Sequence, residues 1–185
     1  SYLSNTVVIH TAPEPDAVAP AAIDDLDAHL ISEGGSLIGG DAIDWTTAQT
    51  PDYSAQNIID GDNYTSWASV GKQVQGEEAV TIDLGNVYPV GEMSLRPDAN
   101  FADLFPTGVE IRVSMDNLSW TSVFNADNIV VTPGDALNAI FPVTAVRYIE
   151  VLATELTLND NSYYYAVIGE LEVVHANLSP GTIVT

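Results

Sequence analysis

Four runs of this 185-residue chain alternate apolar and polar side chains with a period of two, which suits a half-buried strand and does not suit a helix. AVTIDL sets Val80, Ile82 and Leu84 against Thr81 and Asp83, and GVEIRVSM sets Val109, Ile111 and Val113 against Glu110, Arg112 and Ser114. RYIEVLAT (147–154) and AVIGELEVV (166–174) add two more, the second with Val167 and Leu171 among its apolar positions. Turn-forming clusters punctuate them at Leu84-Gly85-Asn86, Arg96-Pro97-Asp98, Asp116-Asn117 and Pro133-Gly134-Asp135. Many short strands between such turns predict an antiparallel sandwich or barrel. With 46% hydrophobic residues the chain can build one sizeable core, and it is too short for two ordinary domains.

The first 40 residues follow a different pattern. SYLSNTVVIH is β-prone, and TAPEPDAVAP, with three prolines, reads as an extended linker. In AAIDDLDAHLIS, Ile23, Leu26 and Leu30 share one helical face, with Asp24, Asp25 and Asp27 near the positive end of the dipole and Gly34-Gly35 as a stop. The expected organisation is an N-terminal extension at 1–40 with a strand and a short helix, a sandwich at 41–174 and a tail at 175–185. GGSLIGG lacks the Gly-Lys-Ser/Thr ending of a phosphate loop. A chain that begins at Ser1 fits a secreted protein whose leader has been removed, and both ends are expected to be held by packing.

Charge restricts the partners. Four basic residues face 26 acids, a formal net charge of -22, so phosphate backbones and anionic headgroups are repelled. No run of about 18 apolar residues is available to span a bilayer. Cysteine is absent, which removes disulfides and thiolate metal sites. Catalysis finds little support. His10, His29 and His175 fall outside the strand pattern, none near a second catalytic group, and nothing singles out a carboxylate pair.

NIIDGDNYTSWAS (57–69) mixes hard oxygen donors around a glycine. Ca²⁺ takes six to eight oxygens at about 2.3–2.6 Å from carboxylates, hydroxyls and carbonyls. Asp60 and Asp62 supply carboxylates, Gly61 permits a sharp turn, and Thr65 offers a hydroxyl and a carbonyl. An EF-hand is excluded, because the twelfth position from Asp60 is Gly71 rather than a bidentate glutamate. The competing reading is an Asx-rich turn closed by its own hydrogen bonds, or one that holds Na⁺. Trp67 is expected to be a core aromatic under the loop rather than a sugar platform.

In order along the chain, NIIDGDNYTSWAS, VTIDLGNVYPVGEMSLRP, FPTGVEIRVSMDNLSWTSV, VRYIEVLATEL and YAVIGELEVV resemble the discoidin, or coagulation-factor type C, domain. Its relatives include bacterial galactose-binding-like carbohydrate-binding modules. The resemblance runs from about Asp41 to Val174 and implies an all-β, eight-stranded antiparallel jelly-roll sandwich without catalysis, with ligand recognition by loops at one end. It also implies a structural Ca²⁺ between an early loop and the last strand. The ligand set would then add a carbonyl from Asn57 and the Gly169-Glu170 pair to Asp60, Asp62 and Thr65.

Sugar-binding relatives pair an arginine with an asparagine a few residues on and with an aromatic on a neighbouring loop. A planar fork bridges vicinal hydroxyls while an aromatic face packs the C–H side of the ring. Arg96, Asn100 and Phe101, with Phe105 nearby, offer that set, although Arg96 stands one residue out of register and reads equally as an ion-pairing residue. Tyr163 and Tyr164 offer a second rim or a cover for the sandwich end. Two functions follow. One is an extracellular, Ca²⁺-stabilised recognition or adhesion module for glycans or another cell-surface ligand. The other is a structural subunit of an extracellular filament or surface assembly, self-associating through donation of the N-terminal strand to a neighbour.

Overall fold

The structure, a computed structural model, describes residues 38–176. The expected N-terminal strand, linker and helix, and the tail from 177 onward, lie outside the described residues. Ten strands run in order: β1 (Asp41–Trp45), β2 (Trp67–Ala68), β3 (Glu78–Arg96), β4 (Gly108–Ser114), β5 (Thr121–Ala126), β6 (Leu137–Glu155), β7 (Thr157–Leu158), β8 (Tyr164–Tyr165), β9 (Val167–Ile168) and β10 (Glu170–His175). Three short 3₁₀ turns, Pro51–Tyr53, Ala55–Ile59 and Ala102–Leu104, complete it.

Two 19-residue strands, β3 and β6, organise the sandwich by pairing antiparallel along most of their length. Their register slips between Asp83 and Tyr88 and again between Val90 and Glu92, so each long strand bends and serves two layers. The first half of β3 also pairs β1, and the second half of β6 pairs β4, which pairs β5. The second half of β3 pairs β10. The outcome is a five-stranded layer, β1-β3-β6-β4-β5, facing a three-stranded layer, β10-β3-β6. The alternation seen in the sequence now has its reason. Val80, Ile82, Val109, Ile111, Ile149 and Val151 project from one layer and Met93, Leu95, Ala139, Leu171 and Val173 from the other into one buried cluster. Each valine, isoleucine, leucine or methionine among them contributes about 1.5–3 kcal/mol on burial.

Two expectations are corrected. Leu84-Gly85-Asn86 does not reverse the chain: Gly85, at φ +77°, donates its N–H to Asp83 Oδ1 at 2.8 Å, and the strand continues beyond this bulge. AVIGELEVV is two strands, broken at Gly169, with β9 on β2 and β10 on β3. A Cβ on Gly169 would lie 2.8–2.9 Å from backbone atoms of Pro97 and Asp98, so the close approach of the two chains requires glycine there. The turns at Asp116-Asn117 and around Gly134 stand, with Asn117 at φ 59° and Gly134 at φ 93°. Strand β10 includes His175, whose ring packs edge-on to Tyr88 at 6.0 Å, so this histidine belongs to the sandwich. At the other boundary Ile38 already packs on the core and donates its N–H to the Val173 carbonyl at 2.9 Å.

Candidate functional site

Trp67 is fully buried, and its indole N–H donates to the Thr47 carbonyl at 2.8 Å, so it is a core aromatic beneath the polar loop. Above it the loop closes on itself. Asn57 Nδ2 donates to the carbonyls of Asp52 and Ser66 at 2.8 and 3.0 Å, which leaves its own carbonyl as the oxygen a cation would use. Asp60 Oδ1 accepts from the Asp62 N–H at 2.8 Å, and Gly61 takes φ +83° to turn the chain. Thr65 Oγ1 lies 2.7 Å from Asp60 Oδ2 and 2.9 Å from the Asp62 carbonyl oxygen. The Asp62 carboxylate instead caps its own turn, accepting from Tyr64 N–H at 2.9 Å.

Glu170, 109 residues further on, reaches this loop from the start of β10: its Oε2 accepts from the Gly61 N–H at 2.9 Å. The side chain is buried, and no lysine or arginine lies within ion-pairing distance of it. Burial pushes its carboxyl up to about 7, with the Asp60 charge acting in the same direction against the Gly61 N–H. Gly169 is tied in by its N–H to the Arg96 carbonyl at 2.9 Å. The early loop and the last strand therefore meet where the resemblance places them.

The same loop is joined to the turn after β3. Ala99 N–H donates to the Asn63 carbonyl at 3.0 Å. The buried Asp98 carboxylate accepts from Asn100 N–H at 2.7 Å and Phe101 N–H at 3.1 Å, an Asx-type turn that presents both side chains outward. Phe101, 39% exposed, stands edge-on to Tyr53 at 6.4 Å between ring centroids. With Tyr64 exposed on the adjoining loop, one end of the sandwich carries an aromatic and polar rim.

Arg96 takes the ion-pairing role. Its Nε and Nη2 meet Glu172 Oε1 and Oε2, each at 2.9 Å, in a bidentate pair across β3 and β10, and Glu172 holds the guanidinium firmly protonated. The side chain lines a groove with Asn138 and Leu137 rather than meeting Asn100 and Phe101. Phe105 is buried in the core. Tyr164 also packs on the core, while Tyr163 is exposed at the turn of the β7-β8 hairpin, whose shape Asn159 Oδ1 fixes by accepting from Tyr163 N–H at 3.0 Å. All four basic side chains of the protein are paired, Lys72 with Glu78, Arg112 with Glu110 and Glu150, and Arg147 with Asp83. Among the described residues the other acids form no ion pair with lysine or arginine.

The F5/8 type C domain profile matches residues 42–171, well over half of the sequence. The chain belongs to the F5/8 type C domain family. Solved structures of the same fold include CBM32-3 from a family 31 glycoside hydrolase of Clostridium perfringens, at 26% identity and a TM-score of 0.65, covering 74% of this chain and 90% of that one. Chitosan-binding module 2 of a Paenibacillus sp. IK-5 chitosanase/glucanase, solved with chitotriose, gives 24% and 0.60 over 74% and 98%. CpGH89CBM32-5 of Clostridium perfringens, solved with GalNAc-β-1,3-galactose, gives 20% and 0.61 over 75% and 99%. No functionally curated protein sequence is significantly similar. The jelly-roll sandwich expected from the sequence is the fold of this F5/8 type C domain.

The donors at the brace fit a hard cation. Carboxylates of Asp60 and Glu170 converge with the Thr65 hydroxyl and with backbone carbonyls, and Glu170 is buried without a lysine or arginine in ion-pairing contact. Among the described residues no group of three or more acidic, histidine or cysteine side chains gathers, here or elsewhere, so hydroxyl and carbonyl oxygens would have to complete the shell of a cation at this loop. The sequence reading passed over Tyr53, Tyr64 and Glu172, and took Asp98 only as part of a turn. Pro51 and Thr50 signal the turn that carries Tyr53, but nothing local marks out Glu172.

Proposed function

We propose that this F5/8 type C domain is a non-catalytic extracellular module that recognises glycans through the rim formed by Tyr53, Tyr64, Asn100 and Phe101. The observation that carries this reading is the Tyr53–Phe101 pair, held beside Asn100 by the Asp98 turn and pinned through Asn63 to the braced loop. Exposed aromatic faces pack the C–H side of a pyranose, and adjacent amide and carboxylate groups fix its hydroxyls. Ca²⁺ at Asn57, Asp60, Thr65, Gly169 and Glu170 would hold that rim in place, its charge offsetting the buried Glu170 carboxylate. The membership of 26%-identical CBM32-3 in the same fold supports a carbohydrate ligand. With every basic side chain already paired and a net charge of -22, the ligand class is neutral or amine-bearing sugar rather than sulfated or sialylated glycan.

A glycan array tests this. Signal is expected on neutral or amino-sugar spots, lost with Phe101→Ala and retained with Arg96→Ala. Silence across the array, or loss with Arg96→Ala alone, counts against it.

A further inference from the structure

The hairpin between β4 and β5 ends in a tip, residues 115–119, that is exposed throughout. Its backbone is fixed from within. Asp116 Oδ1 accepts from the N–H groups of Leu118 and Ser119 at 2.9 and 2.8 Å, and Ser114 Oγ accepts from those of Asp116 and Asn117 at 3.2 and 3.0 Å. Asn117 stands at φ 59°, a conformation that asparagine accepts more readily than most residues. Among the described residues its side-chain amide has no hydrogen-bond partner, so a rigid tip offers that amide to solvent. Met115 and Leu118 flank it at 60% and 84% exposure, apolar surface that an attached hydrophilic group would shield.

Asn117-Leu118-Ser119 is an Asn-X-Ser/Thr acceptor sequence for N-glycosylation, a modification of exposed turns in secreted proteins. The pattern recurs at Asn63-Tyr64-Thr65 and at Asn177-Leu178-Ser179, the latter outside the described residues. Position in the fold separates the first two. Asn63 belongs to the braced loop: its carbonyl accepts from Ala99 N–H at 3.0 Å, and the Thr65 hydroxyl meets Asp60 Oδ2 at 2.7 Å. A bulky glycan there would cover Tyr64 and the recognition rim. Asn117 has no such conflict. Strand β4 pairs Gly108 with Glu155 at its rim end and Ser114 with Tyr148 at the other, and its seven residues at about 3.3 Å each set the tip about 20 Å from the rim end.

We propose that Asn117 is N-glycosylated and that the glycan covers Met115 and Leu118 at the pole away from the rim. The inference rests on the extracellular part of the proposed function and not on glycan recognition. The donor class is an oligosaccharide linked through phosphate to a lipid, presented by a membrane-bound transferase. The amide nitrogen of Asn117 forms a bond to the anomeric carbon of the sugar, and the bond from that carbon to the phosphate oxygen breaks. The lipid phosphate leaves with the electron pair, and the amide gives up one proton to the medium.

The scarcity of basic residues makes the test clean. Arg96 precedes Pro97, so trypsin cuts after Lys72, Arg112 and Arg147, and the acceptor sequences fall on separate peptides, 1–72, 113–147 and 148–185. Mass spectrometry of the chain recovered from the cells that make it is expected to show peptide 113–147 raised by the mass of a glycan. That increment is expected to be lost with Asn117→Gln and with Ser119→Ala, which leaves Asn117 in place, and to be kept with Ser119→Thr. Loss with Ser119→Ala but not with Asn117→Gln places the sugar on the serine hydroxyl and overturns the inference. A glycan on 1–72 with 113–147 unshifted overturns it as well. So does an unshifted 113–147 peptide in chain recovered outside the cell, a result that leaves the extracellular reading standing, whereas chain found only inside the cell overturns both.

Discussion

Replacing Lys72 with methionine leaves a buried anion with reduced compensation, and the cost is calculable from its surroundings. Glu78 is fully buried, its Oε1 is 2.6 Å from Lys72 Nζ, and its Oε2 accepts from the hydroxyls of Thr46 and, at 2.7 Å, Thr47. Those threonines in turn position the loop over the core: Thr47 Oγ1 accepts from Val70 N–H at 3.0 Å, and its carbonyl holds the Trp67 indole. Removing one member of a buried pair costs about 3–5 kcal/mol when the survivor has no other partner. Here two hydroxyls remain and the lysine side chain is 33% exposed, so about 2 kcal/mol is expected. For a domain of this size that lowers the melting midpoint by about 4–8 °C. Glu78→Gln removes the anion and, combined with Lys72→Met, is expected to cost about 1 kcal/mol less than the two single changes added together. Urea or thermal melts of the four proteins measure the cycle. A Lys72→Met variant within about 0.5 kcal/mol of the parent, or strict additivity, refutes the electrostatic role assigned to this pair.

Other consequences are equally open to measurement. Chelation is expected to lower the melting midpoint of the parent, since a Ca²⁺ site at a hundredfold excess over Kd adds about 2.7 kcal/mol, while Glu170→Gln is expected to melt at a midpoint insensitive to chelator. The Asp116 carboxyl is held down to about 2 by N–H groups of Ser119 and Leu118 and by the Ser114 hydroxyl. Its folded value lies below the ordinary 3.8, so its stabilisation is present above about pH 4 and lost as pH falls through about 2. Denaturant melts between pH 5 and 2 are expected to show a shallower acid limb for Asp116→Asn.

What the sequence disclosed and what it concealed divide by range. Alternation in AVTIDL and GVEIRVSM depends only on neighbours, and Val80, Ile82, Val109 and Ile111 are fully buried as that period requires. The loop at Asp60 stood out as a candidate cation site because its donors are contiguous, and the approach of Glu170 to it, seen in the Gly61 N–H bond, was expected from the family order. Gly85 misled because a glycine at positive φ marks a bulge as readily as a reversal, and only the continuing pairs with β6 distinguish them. Arg96 could not be assigned locally: its partner Glu172 is 76 residues away, and the slip of one residue noted in the sequence places its guanidinium on that carboxylate instead of with Asn100. The Tyr53–Phe101 contact is non-local in the same sense, set by two loops that meet only in the folded sandwich.

Chemical-shift mapping by NMR bears most directly on the rim. Titration of labelled protein with galactose, GalNAc-β-1,3-galactose and chitotriose, in saturating Ca²⁺, is expected to move resonances of residues 52–53, 63–64 and 98–103, and Phe101→Ala is expected to abolish those shifts. Shifts confined to the groove at Arg96 and residues 126–138, or no shift with any of the three sugars, would contradict glycan recognition at this end of the domain.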